Sequence, residues 1–215
     1  MYSTNKKDKI LITGASFGLG SYLSEHFSNM GHDLIVTGRN ERKLNNLKTK
    51  LHTNVTVISG DLKDNSHLEK LKEKFIEEGG NVLVNNAGIT CPGLSIDDLE
   101  VKQIVDMIDV NLVAPFLLIK HLHKNLSCVI NINSMVGLEH KQFRTAYSAS
   151  KWGLRGLSES FKLETNINVV DVYPTNIKTM PDRVDAMEVD FVCNKIYEAY
   201  SSNSNKKLIL DGRPK

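Results

Sequence analysis

Short apolar runs alternate with longer amphipathic stretches along the 215 residues of this chain. Seven runs rich in β-branched residues are typical of strands, at 9–13, 33–37, 54–59, 81–85, 128–133, 168–173 and 207–210. Six stretches between them have apolar residues at helical spacing, at 19–30, 42–51, 66–78, 97–124, 145–164 and 189–202. This alternation predicts an α/β fold, in which a doubly wound parallel sheet of about seven strands has helices on both faces.

Composition favours a single domain over residues 1–215, because no internal repeat or change in composition divides the chain. Lys and Arg number 27 against 25 Asp and Glu, which argues against a binder of nucleic acid or of an anionic membrane. The longest apolar run, 112–119, is far shorter than the roughly 18 residues of a membrane span. The three cysteines lack any CxxC pairing, so we expect neither disulfides nor a metal site, and a cytoplasmic location.

The first predicted strand leads directly into a turn with three glycines, Gly14, Gly18 and Gly20, and then into a helix. Glycines at such a turn permit close backbone approach and leave helix N–H groups facing a pyrophosphate, as in a Rossmann-type dinucleotide site. The spacing G-x-x-x-G-x-G differs from the commoner G-x-G-x-x-G. A glycine-rich turn without a ligand is the alternative, and the position after the first strand favours nucleotide binding.

The end of the second predicted strand bears on which dinucleotide binds. An enzyme that uses NAD normally has an acidic residue there for the ribose 2′-OH, whereas this chain has Gly38 and Arg39. A guanidinium donates two parallel hydrogen bonds to a phosphate, so the residues favour NADP(H), without excluding NAD(H). The alternative for Arg39 is an ordinary residue of the turn before the next helix.

Tyr147 and Lys151 are four residues apart, which places them on one face of the helix predicted at 145–164. A free tyrosine has a pKa near about 10, and a fixed positive charge lowers it towards the range useful for acid–base catalysis. Ser134 follows the strand predicted at 128–133 and adds a hydroxyl at the carboxyl edge of the sheet.

Together these residues resemble the classical short-chain dehydrogenase/reductase family, over nearly the whole chain. The ordered motifs are Thr13-Gly-x-x-x-Gly-x-Gly20, Asp61-Leu62, Asn85-Asn86-Ala87-Gly88, Asn111, Ser134, Tyr147-x-x-x-Lys151 and Pro174-x-x-Ile177-x-Thr179. The resemblance implies a catalytic set of four residues. Tyr147 exchanges a proton with the substrate oxygen, Lys151 lowers its pKa and binds the nicotinamide ribose, and Ser134 polarises the carbonyl. Asn111, at a helix kink, holds a water that relays protons.

The resemblance also implies the residues that bind the cofactor. They are Gly14, Ser16, Phe17, Gly18, Leu19, Gly20, Arg39, Asp61, Leu62, Asn86, Ala87, Gly88, Tyr147, Lys151, Pro174, Ile177 and Thr179. It further implies a homodimer or homotetramer.

Three features depart from the family pattern. Phe17 stands where NADP-preferring members often have a basic residue, which leaves the 2′-phosphate to Arg39, with Ser16 and Asn40 as further candidates. Thr175 replaces the glycine that usually follows the proline, and it either narrows the site or adjusts a turn. Only residues 180–188 separate Thr179 from the next helix, so we expect a short lid and an open substrate site.

The function predicted is an NADP(H)-dependent oxidoreductase that interconverts a carbonyl and a secondary alcohol in a small molecule. The alternative is a non-catalytic NADP(H)-binding regulator. Such a protein would not need a tyrosine whose pKa is lowered for acid–base catalysis, which counts against this alternative. Glu139, His140 and Arg144 lie between Ser134 and Tyr147, where they either rim the substrate pocket or are solvated loop charges.

Overall fold

Seven parallel strands form one sheet. The structure, a computed structural model, describes residues 7–90, 93–180 and 185–213. The described strands are β1 (Lys9–Thr13), β2 (Asp33–Gly38), β3 (Val55–Ser59), β4 (Val82–Asn85), β5 (Cys128–Ile132), β6 (Asn168–Pro174), β7 (Ile177–Lys178), β8 (Met187–Glu188) and β9 (Lys206–Leu210), of which β7 and β8 form a separate two-stranded sheet. The sheet order is β3-β2-β1-β4-β5-β6-β9, with parallel pairing throughout. All seven predicted strands are therefore confirmed.

Helices connect these strands. They are α1 (Leu19–Asn29), α2 (Glu41–Lys48), α3 (Asn65–Glu77), α4 (Val101–Ile108), α5 (Ala114–Leu122), α6 (Thr145–Glu164) and α7 (Val189–Ser201). A π-helical turn, Asp109–Val113, joins α4 to α5, and a 3₁₀ turn, Met135–Gly137, follows β5. In the described part of the chain, no helix is long and apolar enough to cross a membrane.

Each face of the large sheet has its own hydrophobic core. Ile10 and Ile12 of β1 face one core, and Leu11 between them faces the other, because side chains alternate along a strand. Helices α1, α2 and α7 cover the first face with buried residues such as Phe27, Leu44 and Val192. Helices α3, α5 and α6 cover the second with Phe75, Leu118 and Phe161. The predicted α/β arrangement, with helices on both faces, is confirmed.

The sheet order also places the functional site. From β1 the chain builds outward to β2 and β3, and then returns to β4 on the other side of β1. The connections that follow β1 and β4 therefore run in opposite directions, which leaves a crevice at the carboxyl ends of these two strands.

One expectation needs correction. The single helix predicted at 97–124 begins only at Val101 and is interrupted by the π-helical turn. The prediction from spacing missed this interruption because the helical spacing of apolar residues continues through the turn, where the backbone hydrogen bonds shift by one residue. The short lid expected at 180–188 stays a prediction, and the end of this segment is β8, which pairs with β7. Residues 181–184 lie outside the described residues, as does Cys91.

Candidate active site

The turn after β1 is built from close backbone contacts that only glycine permits. Gly14 and Gly18 have positive φ angles, 66° and 62°. A Cβ on Gly20 would lie 2.4 Å from both the Gly14 oxygen and Asn86 Nδ2. Asn86 Nδ2 in turn donates to the Thr13 oxygen at 2.8 Å, so that the turn is fixed against the end of β4. A side chain at Gly20 would force these two segments apart.

The N-terminus of α1 faces the same crevice. Its N-cap residue is Gly18, and its first turn contains no acidic residue. The unpaired N–H groups and the positive end of the helix dipole are therefore available to an anion. This geometry fits the pyrophosphate of a dinucleotide.

One part of the crevice, which we call the glycine side, is lined by backbone and small side chains. Its lining comprises Gly14, Ser16, Phe17, Gly18, Leu19, Gly38, Arg39, Gly60, Asp61, Leu62, Asn86, Ala87, Gly88, Ile89 and Val110. Eleven of these were predicted to bind the cofactor, and the sequence analysis missed Gly60, Ile89 and Val110. Gly60 is a close-approach position, since a Cβ there would lie 2.2 Å from His67 Nδ1.

Arg39 is exposed at the rim of the glycine side and has no carboxylate partner among the described residues. A second cation lies nearby, because Lys43 Nζ is 5.0 Å from the centroid of the Phe17 ring. Asn40, the further candidate for the 2′-phosphate, also caps α2, where its Oδ1 accepts from Lys43 N at 2.9 Å. The rim therefore has two cations and a phenyl ring.

The other part of the crevice, which we call the tyrosine side, is larger and is lined mostly by side chains. It brings together the predicted residues Ser134, Tyr147, Lys151, Pro174, Ile177 and Thr179. Leu19, Asn86, Gly88 and Ile89 line both sides, so the two are continuous. Gly20 and Asn111, also predicted, lie behind the crevice wall.

The Ser134 hydroxyl neighbours the phenol of Tyr147, close enough to bear on its pKa through hydrogen bonding. Burial raises the pKa of Tyr147, and the Ser134 hydrogen bond and the Arg144 charge oppose that rise. The pKa of Tyr147 therefore lies above its usual value in this structure, and its lowering by Lys151 stays a prediction. The ammonium lies 5.8 Å from the centroid of the Tyr147 ring, and desolvation of the phenol outweighs the charges around it.

Lys151 is buried behind the tyrosine and donates from Nζ to the Ile132 oxygen at 2.9 Å. This burial lowers the pKa of its ammonium to about 8. The ammonium is thus buried at the end of β5, and its pKa lies close to neutral pH.

Asn111 lies in the π-helical turn, where the sequence analysis expected a kink, and it is fully buried. Its Oδ1 accepts from Ile89 N at 2.8 Å, and its Nδ2 donates to the Ile89 oxygen at 2.9 Å. Nδ2 also donates to Ser150 Oγ at 3.0 Å. The side chain thereby connects the segment after β4 to α6, the helix that bears Tyr147 and Lys151.

The comparisons with known proteins agree with this geometry. The family model described as short chain dehydrogenase matches residues 8–187. The chain belongs to the short-chain dehydrogenase family. As a member of that family it is an oxidoreductase.

Two curated relatives illustrate the range of the family. The 3-oxoacyl-[acyl-carrier-protein] reductase FabG of Rickettsia prowazekii is 34% identical over 195 residues, which cover 86% of this chain and 80% of the relative. The NADPH-dependent pterin aldehyde reductase of Arabidopsis thaliana is 29% identical over 181 residues, covering 79% and 75%.

Two solved structures have the same fold. A metagenomic short-chain oxidoreductase in complex with NADP superposes with a TM-score of 0.81 at 25% identity, covering 95% of this chain and 97% of its own. The alcohol dehydrogenase of Thermococcus sibiricus superposes with a TM-score of 0.89, over 98% and 100% of the chains. At 20% identity, this second likeness concerns the fold alone.

This short-chain dehydrogenase also has site residues that sequence reasoning missed. Arg213 lines the tyrosine side and pairs with Glu139, which the sequence analysis left open between a pocket rim and a solvated charge. The two residues are 74 positions apart, and no local pattern links them. Lys43 was missed as well, although it follows Arg39 by four residues and lies in the first turn of α2.

Proposed function

We propose that this protein is an NADP(H)-dependent oxidoreductase that interconverts a carbonyl group and a secondary alcohol of a small molecule. The observation behind the proposal is that Ser134 and Tyr147 lie next to each other in the lining of the tyrosine side, which is continuous with the glycine side. A buried ammonium, that of Lys151, stands directly behind this pair.

The glycine side fits a dinucleotide. The Gly14–Gly20 contact leaves a cradle that a Cβ would fill, and the uncapped start of α1 supplies N–H donors. Arg39 and Lys43 at the rim favour a 2′-phosphate, and no acidic residue ends β2 to repel it. NADP in the related metagenomic oxidoreductase supports the same choice.

NADPH, when bound, supplies the hydride. The protein positions the carbonyl and supplies the proton. Ser134 donates a hydrogen bond to the carbonyl oxygen, which polarises the bond and fixes the substrate beside Tyr147. Tyr147 then donates its phenolic proton to the oxygen as negative charge develops there, and the product is the alcohol. In the reverse direction Tyr147 takes the alcohol proton.

The residues behind the tyrosine act through it. Lys151 provides a positive charge that stabilises the phenolate left by proton transfer. Asn111 holds α6 against the segment after β4, through Ile89 and Ser150, and so keeps Tyr147 and Lys151 in position. We assign Asn111 as a positioning residue.

The first prediction concerns Tyr147→Phe. This variant lacks the proton donor but keeps the ring, so we expect ketone reduction to fall by about 100- to 10,000-fold. NADPH binding should stay within about twofold of the wild type, since the ring remains. The measurements are loss of NADPH absorbance, with a panel of 3-oxoacyl thioesters, steroid ketones, sugars, aldehydes and small ketones, and a fluorescence titration of NADPH.

Tyr197→Phe is the matched control. It removes a hydroxyl 3.4 Å from His32 Nε2, on the helix α7 that packs against α1 and away from the crevice lining. We expect its turnover to match the wild type. Turnover by Tyr147→Phe above a tenth of the wild-type rate would contradict the assigned acid.

We also propose that residues 1–215 form one domain, supported by the single seven-stranded sheet with a core on each face. The homo-oligomer and the cytoplasmic location stay predictions.

A further inference from the structure

Thr175 has a structural use that a glycine at this position could not have. Its backbone N–H donates to the Leu210 oxygen at 2.9 Å, which joins the end of β6 to the end of β9. Its hydroxyl accepts from Gly212 N–H at 2.9 Å and lies 3.4 Å from the Leu210 oxygen, to which it donates. The hydroxyl therefore directs the chain that leaves β9, residues 211–213.

The same segment is held from the opposite side by Glu139. Arg213 donates from Nη1 to Glu139 Oε2 at 2.8 Å and from Nη2 to Oε1 at 2.7 Å, a bidentate pair. Asp211 fixes the guanidinium further, because its carboxylate accepts from Arg213 Nε at 2.8 Å and from Nη2 at 2.6 Å. Residues 211–213 are thus attached at both ends.

These contacts lie at the tyrosine side. Thr175, Glu139 and Arg213 line it together with Ser134 and Tyr147. Thr175 follows β6 and Glu139 follows the 3₁₀ turn after β5, so residues 211–213 connect two different walls of one cavity. The segment also packs against β8, since a Cβ on Gly212 would lie 2.5 Å from Met187 Cγ.

We propose that residues 211–213, held by Thr175 and by the Arg213–Glu139 pair, form a strap that limits the size of the carbonyl substrate. This inference rests on the proposed function. The strap supplies a cover that the short segment 180–188 was not expected to provide. A small ketone reaches Ser134 and Tyr147 beneath the closed strap, whereas a bulky ketone needs it open.

The ion pair that holds the strap at Arg213 costs little free energy to break. The Arg213 and Glu139 side chains are 50% and 43% exposed, and ion pairs so exposed to solvent contribute little. We expect the pair to shift the balance between closed and open forms by up to about fivefold. Salt screens exposed charges, so high ionic strength should act in the same direction as loss of the pair.

The test compares kcat/KM for methyl ketones whose second substituent grows from small to bulky. In Arg213→Gln and in Glu139→Gln, we expect the ratio of bulky to small turnover to rise by about threefold to fivefold. High salt should raise the wild-type ratio and leave that of Arg213→Gln unchanged.

Thr175 provides a second pair of variants. Thr175→Gly removes the hydroxyl and should both raise the ratio and speed amide hydrogen exchange at Gly212, whereas Thr175→Ser keeps the hydroxyl and should change neither. Glu198→Gln is the matched control, since it breaks an exposed 2.7 Å ion pair with Lys195 on α7, outside the cavity. A purely structural role for the pair would lower turnover of all ketones equally.

The outcomes separate the two proposals. If Gly212 exchange accelerates in Thr175→Gly while the size ratio stays constant, the strap exists but does not select substrates, and the inference is overturned. It is equally overturned if Gly212 exchange does not change. If the wild type reduces no carbonyl of either series, the proposed function itself fails, a result that Gly212 exchange does not depend on.

Discussion

The glycine side and the tyrosine side of the crevice are constructed differently. On the glycine side, backbone lies against backbone, and atoms of Gly14, Gly20 and Asn86 leave no space for a methyl group. On the tyrosine side, side chains from loops and from α6 define the cavity, and its rim is closed by the exposed Arg213–Glu139 pair. A site made from backbone has one shape, whereas a site made from exposed side chains can adjust to its ligand.

Among the variants that test this difference between the two sides, we expect the largest effect on the glycine side. Gly20→Ala should weaken NADPH binding by about 100-fold, because the new Cβ would lie 2.4 Å from the Gly14 oxygen and the turn must move. Gly156→Ala is the matched control. Gly156 also lies in a helix, α6, and has open space around its Cβ position, so we expect NADPH binding to stay within about twofold of the wild type.

Titration of NADPH against both variants measures the difference, and thermal unfolding checks that each is folded. Equal losses at Gly156 and Gly20 would mean that close packing at Gly20 does not determine the shape of the glycine side.

This contrast also explains how much could be predicted from the sequence. The seven strands and the glycine turn were predictable, because each depends on a local pattern, either a run of β-branched residues or glycines directly after a strand. The Tyr147–Lys151 pair was predictable for the same reason, since residues four apart share one face of a helix.

Contacts between distant segments were not predictable. Arg213 and Glu139 are 74 positions apart, and Thr175 meets Gly212 across 37. The raised pKa of Tyr147 was missed too, because burial depends on the whole fold, whereas the sequence shows only that a lysine is near. The break between α4 and α5 lies within continuous helical periodicity and gave no signal except Asn111 itself.

The second prediction concerns pH and the buried cation of the tyrosine side. The pKa of Lys151 is lowered to about 8, and that of Tyr147 is raised above 10, so the lysine loses its proton first. We expect kcat/KM for NADPH in ketone reduction to fall by about tenfold per pH unit above pH 8. A rate that stays constant to pH 9.5 would contradict a catalytic role for the Lys151 charge.

Deprotonation of Lys151 does not unfold the protein, so the expected fall in activity above pH 8 cannot come from unfolding caused by this group. A base with a lowered pKa binds more protons in the unfolded chain than in the folded one, here between about 8 and 10.5. The contribution of Lys151 to the free energy of unfolding therefore rises with pH over that interval, while activity falls. Chemical denaturation of wild type and Lys151→Met at pH 7 and pH 10 checks the sign, because the stability of the wild type should improve relative to the variant at the higher pH.

The smallest effect is expected at the rim of the glycine side, the one place where that side depends on exposed side chains. Lys43→Gln removes the ammonium 5.0 Å from the centroid of the Phe17 ring, which lines the glycine side together with Arg39. We expect the ratio of kcat/KM for NADPH to that for NADH to fall by about threefold to fivefold, the value of one exposed charge, with the NADH rate unchanged. Lys48→Gln, in the last turn of the same helix, is the control. If Lys48→Gln lowers the ratio as much as Lys43→Gln, the effect is one of overall charge, and the Phe17–Lys43 contact has no part in recognising the 2′-phosphate.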